Sequence, residues 1–244
     1  MSDASLRRLY EDSATPLSSG LGRAERQAAM LAALASVAGR RMRVVDIGCG
    51  DGMCTEVALN VCDASPNALV DIVGFDWSSA ALKQARARGV PVARASADES
   101  GLPLAMSSID VVIMSELIEH LVDTDNALDE AWRVLVPGGT LLLSTPNLAA
   151  WYNRVLLACG VQPLFTEVSL RGIHGRPGAE VVGHLRVFTR RALVGLLESI
   201  GFVDVTVKGA PYHDVPRPFR PLDRLFCHMP SMASNLLVAA RKPG

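Results

Sequence analysis

Between Met42 and Asn147 the chain alternates apolar runs with helical ones, and that rhythm restricts the fold more than any other feature. MRVVDIG, ALVDIVGFD, VPVARAS, IDVVIMS and GGTLLLSTPN read as strands that are apolar on both faces. MCTEVALNVC, SSAALKQARARG and TDNALDEAWRVL lie between them at helical spacing, the last with apolar Ala127, Leu128, Ala131 and Leu135. Strands buried on both sides and joined through single helices form a parallel sheet covered on both faces. AERQAAMLAALASVAG, upstream, reads as a helix that stops at Gly39. After Asn147 the rhythm breaks for about forty residues of mixed character. The helix TRRALVGLLESIGF, the strand VDVTVKG, a proline-rich stretch and a last strand NLLVAARK follow. Late strands joined without a helix imply an antiparallel edge. The expectation is an α/β, Rossmann-like, doubly wound sheet with helices on both faces. It forms a single domain over 1–244, with a helical segment at 1–40 and insertions near 148–186 and 211–233 over the active-site end.

Composition bears on partners and compartment. A formal net charge of −1 argues against a broad electrostatic grip on nucleic acid or anionic lipid, although local arginine clusters such as RGIHGR and RPFRPLDR could meet an anionic substrate. The five cysteines form no CxxC pair or zinc-like spacing and read as reduced thiols. Cys49, inside a glycine-rich loop, reads as a small residue that fills space. MSDASLRRLYEDSATPLSSG lacks a signal-peptide core, and no apolar run is long enough to span a bilayer, so a cytoplasmic location is expected.

VVDIGCGDG ends the first strand in Gly48, Gly50 and Gly52. Glycines there allow a sharp turn and a close approach to a ligand at the carboxyl end of a central strand. The spacing GxGxG departs from a dinucleotide GxGxxG, because Met53 stands where the last glycine belongs. Asp76 ends the second strand, where a carboxylate can accept two ribose hydroxyls, and Trp77 after it can lie against a purine face. Asp98, after the third strand, is placed to accept from an exocyclic amine. The plainer alternative treats the glycines as an ordinary turn and the two aspartates as helix caps.

SELIEH follows the fourth strand. Glu116, Glu119 and His120 are spaced i, i+3, i+4, so one helical turn would gather them on one face. Two carboxylates that close repel, and one is driven towards protonation unless a cation intervenes. The turn is therefore either a solvated helix start or a seat for something positive, and His120 can also serve as a general base.

Taken together, VVDIGCGDG, VGFDWS, ASADESGLPL, DVVIMSELIEHL, LVPGGTLLLSTPN and FTRRALVGLLESIGF resemble the class I S-adenosylmethionine-dependent methyltransferases over roughly residues 40–207. The resemblance implies a seven-stranded sheet whose last strand is antiparallel. It implies that Asp46 and the loop Gly48, Gly50, Gly52 serve the methionine part of the cofactor, and that Asp76 holds the ribose. Trp77 would pack on the adenine, Asp98 would reach its amino group, and Ser115 would offer backbone to the methionine amine. Tyr10 is a candidate to close over the cofactor.

SELIEHL is similar to two branches of that family. The ubiquinone-biosynthesis O-methyltransferases also share STPN. The small-RNA 3′-terminal 2′-O-methyltransferases bind a metal through a Glu-x-x-Glu-His turn and a histidine five residues before a threonine, the place His184 takes relative to Thr189. The carry-over makes Glu116, Glu119, His120 and His184 ligands of a divalent Mg, Mn or Zn ion, with Glu119 and His120 at the chemistry. The chain lacks the size and basic character of the RNA branch, so nucleic acid is not the expected substrate, and its 148–186 insertion does not follow the ubiquinone branch. The expectation is O-methylation of a small-molecule hydroxyl, such as a catechol or vicinal diol. The alternatives are metal-free N- or C-methylation with His120 as base, or a non-catalytic cofactor-binding subunit. WYNRVLLACGVQPLF reads as a lid over an apolar substrate rather than a membrane-touching face, because no basic run flanks it. Oligomeric state stays open.

Overall fold

The computed structural model describes residues 21–98, 101–169, 171–176, 181–212 and 215–244; Tyr10 and the first half of the N-terminal segment lie outside them. Helix α1 (Leu21–Val37) leads into β1 (Met42–Ile47), α2 (Met53–Asp63), β2 (Val70–Asp76), α3 (Ser79–Ala87) and β3 (Val92–Arg94). Strand β4 (Ile109–Ser115) runs into a short 3-10 turn (Ile118–His120), then α4 (Thr124–Val134) and β5 (Leu135–Pro146). The remainder is α5 (Trp151–Ala158), α6 (Arg190–Ile200), β6 (Val203–Ala210), a 3-10 turn (Arg217–Phe219), α7 (Arg220–Phe226) and β7 (Asn235–Arg241).

The seven strands lie in the order β3-β2-β1-β4-β5-β7-β6, parallel from β3 to β5, with β7 antiparallel to both its neighbours. This is the Rossmann-like arrangement expected from the alternation. Successive residues of the central strands serve opposite sides. Val45, Val112 and Leu143 join one apolar cluster with Leu128 and Ala131 of α4 and Leu193 and Leu197 of α6. Val44, Val111 and Leu142 join the other with Ala28, Leu31 and Ala35 of α1 and Ala58 of α2. Each strand therefore needs apolar residues on both sides, which explains the apolar run 111–114 of β4; Asp110, buried at its start, is paired with Arg40. Strand β6, at the edge, instead alternates exposed and half-buried residues before its last two.

Helix boundaries follow from caps. Ser78, Asp123 and Thr189 accept from the backbone N–H three residues on, at 3.3, 3.0 and 3.2 Å, and start α3, α4 and α6. Both insertions are tied to the end of β5 through buried Asn147. Its Nδ2 donates to Ala233 O at 2.7 Å, and its Oδ1 accepts from Ala149 N at 3.0 Å. No described helix is long and apolar enough to cross a membrane.

Candidate functional site

At the carboxyl end of β1 the backbone turns under β2. Gly48 N and Cys49 N both donate to Phe75 O, at 2.8 and 3.0 Å. Gly52 has φ 80, and a Cβ there would come within 2.9 Å of Ala85 Cα in α3. Only glycine fits both the left-handed backbone and that approach. Asp76 braces the loop: Oδ2 accepts from Gly50 N at 2.9 Å and Oδ1 from Ser78 N at 2.8 Å. Burial raises its pKa against the pull of those donors. The Trp77 N–H also acts on this carboxylate, and any further donor shares its remaining acceptor capacity.

Asp46 is 1% exposed; Thr55 Oγ1 donates to its Oδ2 at 2.6 Å, while Oδ1 is buried with no partner. Burial pushes its pKa up to about 7. Trp77 is half-buried, and its carbonyl accepts from Arg94 Nε at 2.9 Å. Asp98 faces the segment after the Glu-His turn, accepting from Val122 N at 3.3 Å and Asp123 N at 3.0 Å. Ser115 Oγ donates to Gln27 Oε1 at 2.5 Å, and Gln27 Nε2 donates on to Leu142 O at 3.1 Å.

The Glu-His turn departs from one regular helical turn. Glu116 has φ 50, and its N–H still belongs to the β4–β5 ladder, donating to Ser144 O at 2.9 Å. Its carboxylate pairs with Arg23 of α1 at 3.3 Å. A group of Glu119, His120 and His184 instead places one ligand atom of each within 4.8 Å of the others, and Glu116 is not in it. Glu119 is fully buried; Thr145 Oγ1 donates to its Oε2 at 2.9 Å, while Oε1 has no partner. Burial, then the Glu116 charge, hold its pKa well above the usual carboxylate range. The rings of His120 and His184 stack at 4.7 Å. Burial pushes His120 down to about 3 and His184 to about 4, so both imidazoles are neutral near pH 7. His184 Nδ1 is buried without a hydrogen-bond partner.

Sequence reasoning missed the groups that hold this cluster. Glu167, whose side chain is buried, accepts from Val182 N, Gly183 N and His184 N, each at 2.8 Å, and so sets the loop carrying His184. Gly183 O in turn faces His120 Nδ1 at 3.3 Å. Arg23 and Gln27 were also unmarked, being polar positions on an otherwise ordinary helix. Thr145 had a signal, since it is the threonine of STPN.

A family model described as "Methyltransferase domain" matches residues 22–207. A probable S-adenosylmethionine-dependent methyltransferase of Mycobacterium tuberculosis (strain ATCC 25618 / H37Rv) is 30% identical over 68% of this chain and 50% of that protein. A ubiquinone biosynthesis O-methyltransferase of Chelativorans sp. (strain BNC1) is 26% identical over 83% of this chain and 72% of that protein. Among solved structures, the putative methyltransferase of Haloferax volcanii in complex with the Trm112 methyltransferase activator superposes with a TM-score of 0.64. It covers 97% of this chain and 98% of its own, at 16% identity, a likeness of fold. The chain spans half or less of the mycobacterial relatives it matches.

Proposed function

The chain belongs to the class I S-adenosylmethionine-dependent methyltransferases, and from that premise we propose that it methylates a hydroxyl of a small molecule held against Glu119, His120 and His184. The observation that carries the reading is the pair of buried atoms left without hydrogen-bond partners at that point, Glu119 Oε1 and His184 Nδ1, the latter 3.8 Å from Glu167 Oε1. A carboxylate beside two neutral imidazoles is a mixed oxygen and nitrogen set that fits a divalent cation, Mn²⁺ or Zn²⁺ more comfortably than Mg²⁺. Such an ion would lower the pKa of a substrate hydroxyl and orient it.

The residues of the chain divide the remaining work. Asp76 accepts the ribose hydroxyls, with Trp77 beside the adenine, and Asp46 with the Gly48, Gly50, Gly52 loop receives the methionine end. Asp98 is committed to the backbone of 122–123, and so serves the adenine amino group only with its remaining acceptor directions. Ser115, set by Gln27, offers its backbone to the methionine amine, and Glu116 pairs with Arg23 through Oε2 while its Oε1 has no hydrogen-bond partner. Burial supports the cation over a free base at His120, because an imidazole with a pKa near 3 accepts a proton weakly.

The test uses labelled S-adenosylmethionine with catechols and vicinal diols, before and after exhaustive chelation. Methyl transfer that is lost on chelation and restored by Mn²⁺ or Zn²⁺, with S-adenosylhomocysteine affinity unchanged, is the expected result. Undiminished transfer after chelation, combined with an inactive His120→Ala, returns the role to His120 as base.

A further inference from the structure

Helix α7 and the turn before it present a face that the core does not use. Phe219, Leu222, Leu225 and Met229 are 50%, 38%, 62% and 50% exposed. Arg217, Arg220 and Arg224 stand exposed among them. The one acid of residues 215–232, Asp223, is turned inwards and consumed. It accepts from Trp151 Nε1 at 3.0 Å, from Tyr212 N at 2.9 Å and from Ser234 Oγ. Trp151 stacks on Phe226 at 5.9 Å and meets Phe219 at 6.1 Å, so the start of α5 lies directly beneath this face. One turn along α5, Val155 is 57% exposed, and Arg154 beside it is exposed. The result is an apolar surface whose every exposed charge, over described residues 151–158 and 215–232, is positive.

We propose that this α5–α7 face docks on an anionic lipid surface. Apolar side chains at the centre enter the acyl boundary, while arginines on the same surface reach phosphate headgroups. The charge pattern selects this occupant. A second copy of the chain on a two-fold axis would bring the same arginines against one another, at a cost in repulsion. A nucleic acid would leave the apolar centre uncovered. The anchoring of Asp223 keeps the helix fixed without lipid, so docking needs no refolding. The face also borders the proposed chemistry. Tyr212, held by Asp223, meets Phe165 at 5.2 Å, and Phe165 meets His184 at 5.6 Å. The docking claim is independent of which atom is methylated.

The sequence concealed this surface. WYNRVLLACG has no basic run of its own, and the arginines that complete the face come from RPFRPLDR, which the fold brings beside it.

The experiment is flotation of the full chain with phosphatidylcholine vesicles, pure or containing phosphatidylglycerol, at low and high salt. Co-flotation with the phosphatidylglycerol vesicles only, suppressed by salt, is expected. Arg217→Glu with Arg224→Glu should weaken that binding about tenfold or more, and Leu225→Ser should weaken it without changing its salt dependence. Both variants should keep the wild-type thermal shift with S-adenosylhomocysteine, which reports that the fold and cofactor site are intact. Failure to float with anionic vesicles overturns the proposal, as does equal flotation of the charge-reversed variant. A concentration-dependent dimer that Leu225→Ser disperses, with no flotation, assigns the face to self-association instead.

Discussion

Asp76 carries two duties with one carboxylate, bracing the glycine loop and facing the ribose position. Asp76→Ala should therefore weaken S-adenosylhomocysteine binding by about 2–3 kcal/mol for two charge-assisted hydrogen bonds, or roughly thirtyfold or more. Calorimetry reads it directly; equal affinity in variant and wild type would contradict the ribose assignment. Asp46 gives a prediction in pH. Its folded pKa is raised from 3.8 to about 7 by burial, so the neutral form is favoured by folding. The stability it contributes is present below about pH 4 and lost as pH rises towards 7. The melting temperature of the cofactor-free wild type should fall relative to Asp46→Asn across that window. The histidines shift the other way, but they are common to both proteins and cancel in the difference. A difference that stays flat from pH 4 to 7 would show that Asp46 is charged throughout. The glycines and Asp76 were legible because they sit where a strand ends, and strand ends could be read from apolar runs. Glu167 was not, since a lone glutamate in a loop has no periodicity to mark it.

Among the elements, α1 does more than cover the sheet. Gln27 links Ser115 of β4 to Leu142 of β5, and Arg23 reaches Glu116 just beyond β4. Gln27→Leu leaves the half-buried Ser115 hydroxyl and the buried Leu142 carbonyl without this partner, at a cost of about 1–3 kcal/mol. Urea unfolding should show that loss as a lower midpoint with an unchanged slope, and an unchanged midpoint would mean the latch contributes nothing. The strands were readable because burial on both faces demands largely apolar runs, and the helices because their apolar residues recur at helical spacing. The spacing of Glu116, Glu119 and His120 misled for a physical reason. Helical spacing assumes a helix, yet the N–H of Glu116 is taken by Ser144 across the sheet, and the residue itself is left-handed. A long-range hydrogen bond of this kind leaves no trace in local sequence.

Over the whole molecule, the strand directions were legible in outline; their order was not. Alternation forecast the parallel part and the missing late helix forecast the antiparallel edge, as β3-β2-β1-β4-β5-β7-β6 bears out. The meeting of α5 with α7 was not legible, because it depends on two insertions converging on Asn147. One feature of that order reaches into how the protein is made. Strand β7 is the last in the chain, yet it lies inside the sheet, between β5 and β6. On the ribosome, residues Thr140–Pro146 emerge long before the partners at Asn235–Arg241 that will cover their edge. Strand β6 cannot join the sheet at all until β7 exists to receive it. A nascent chain therefore carries an open, apolar strand edge while residues 147–234 are added, the kind of edge that recruits other chains. Chains halted after Ser234 should be captured by chaperones and cleaved readily near β6. Seven more residues, 235–241, should abolish both behaviours in one step, and a gradual gain in protease resistance as β5 and β6 lengthen would show that the sheet closes without its last strand.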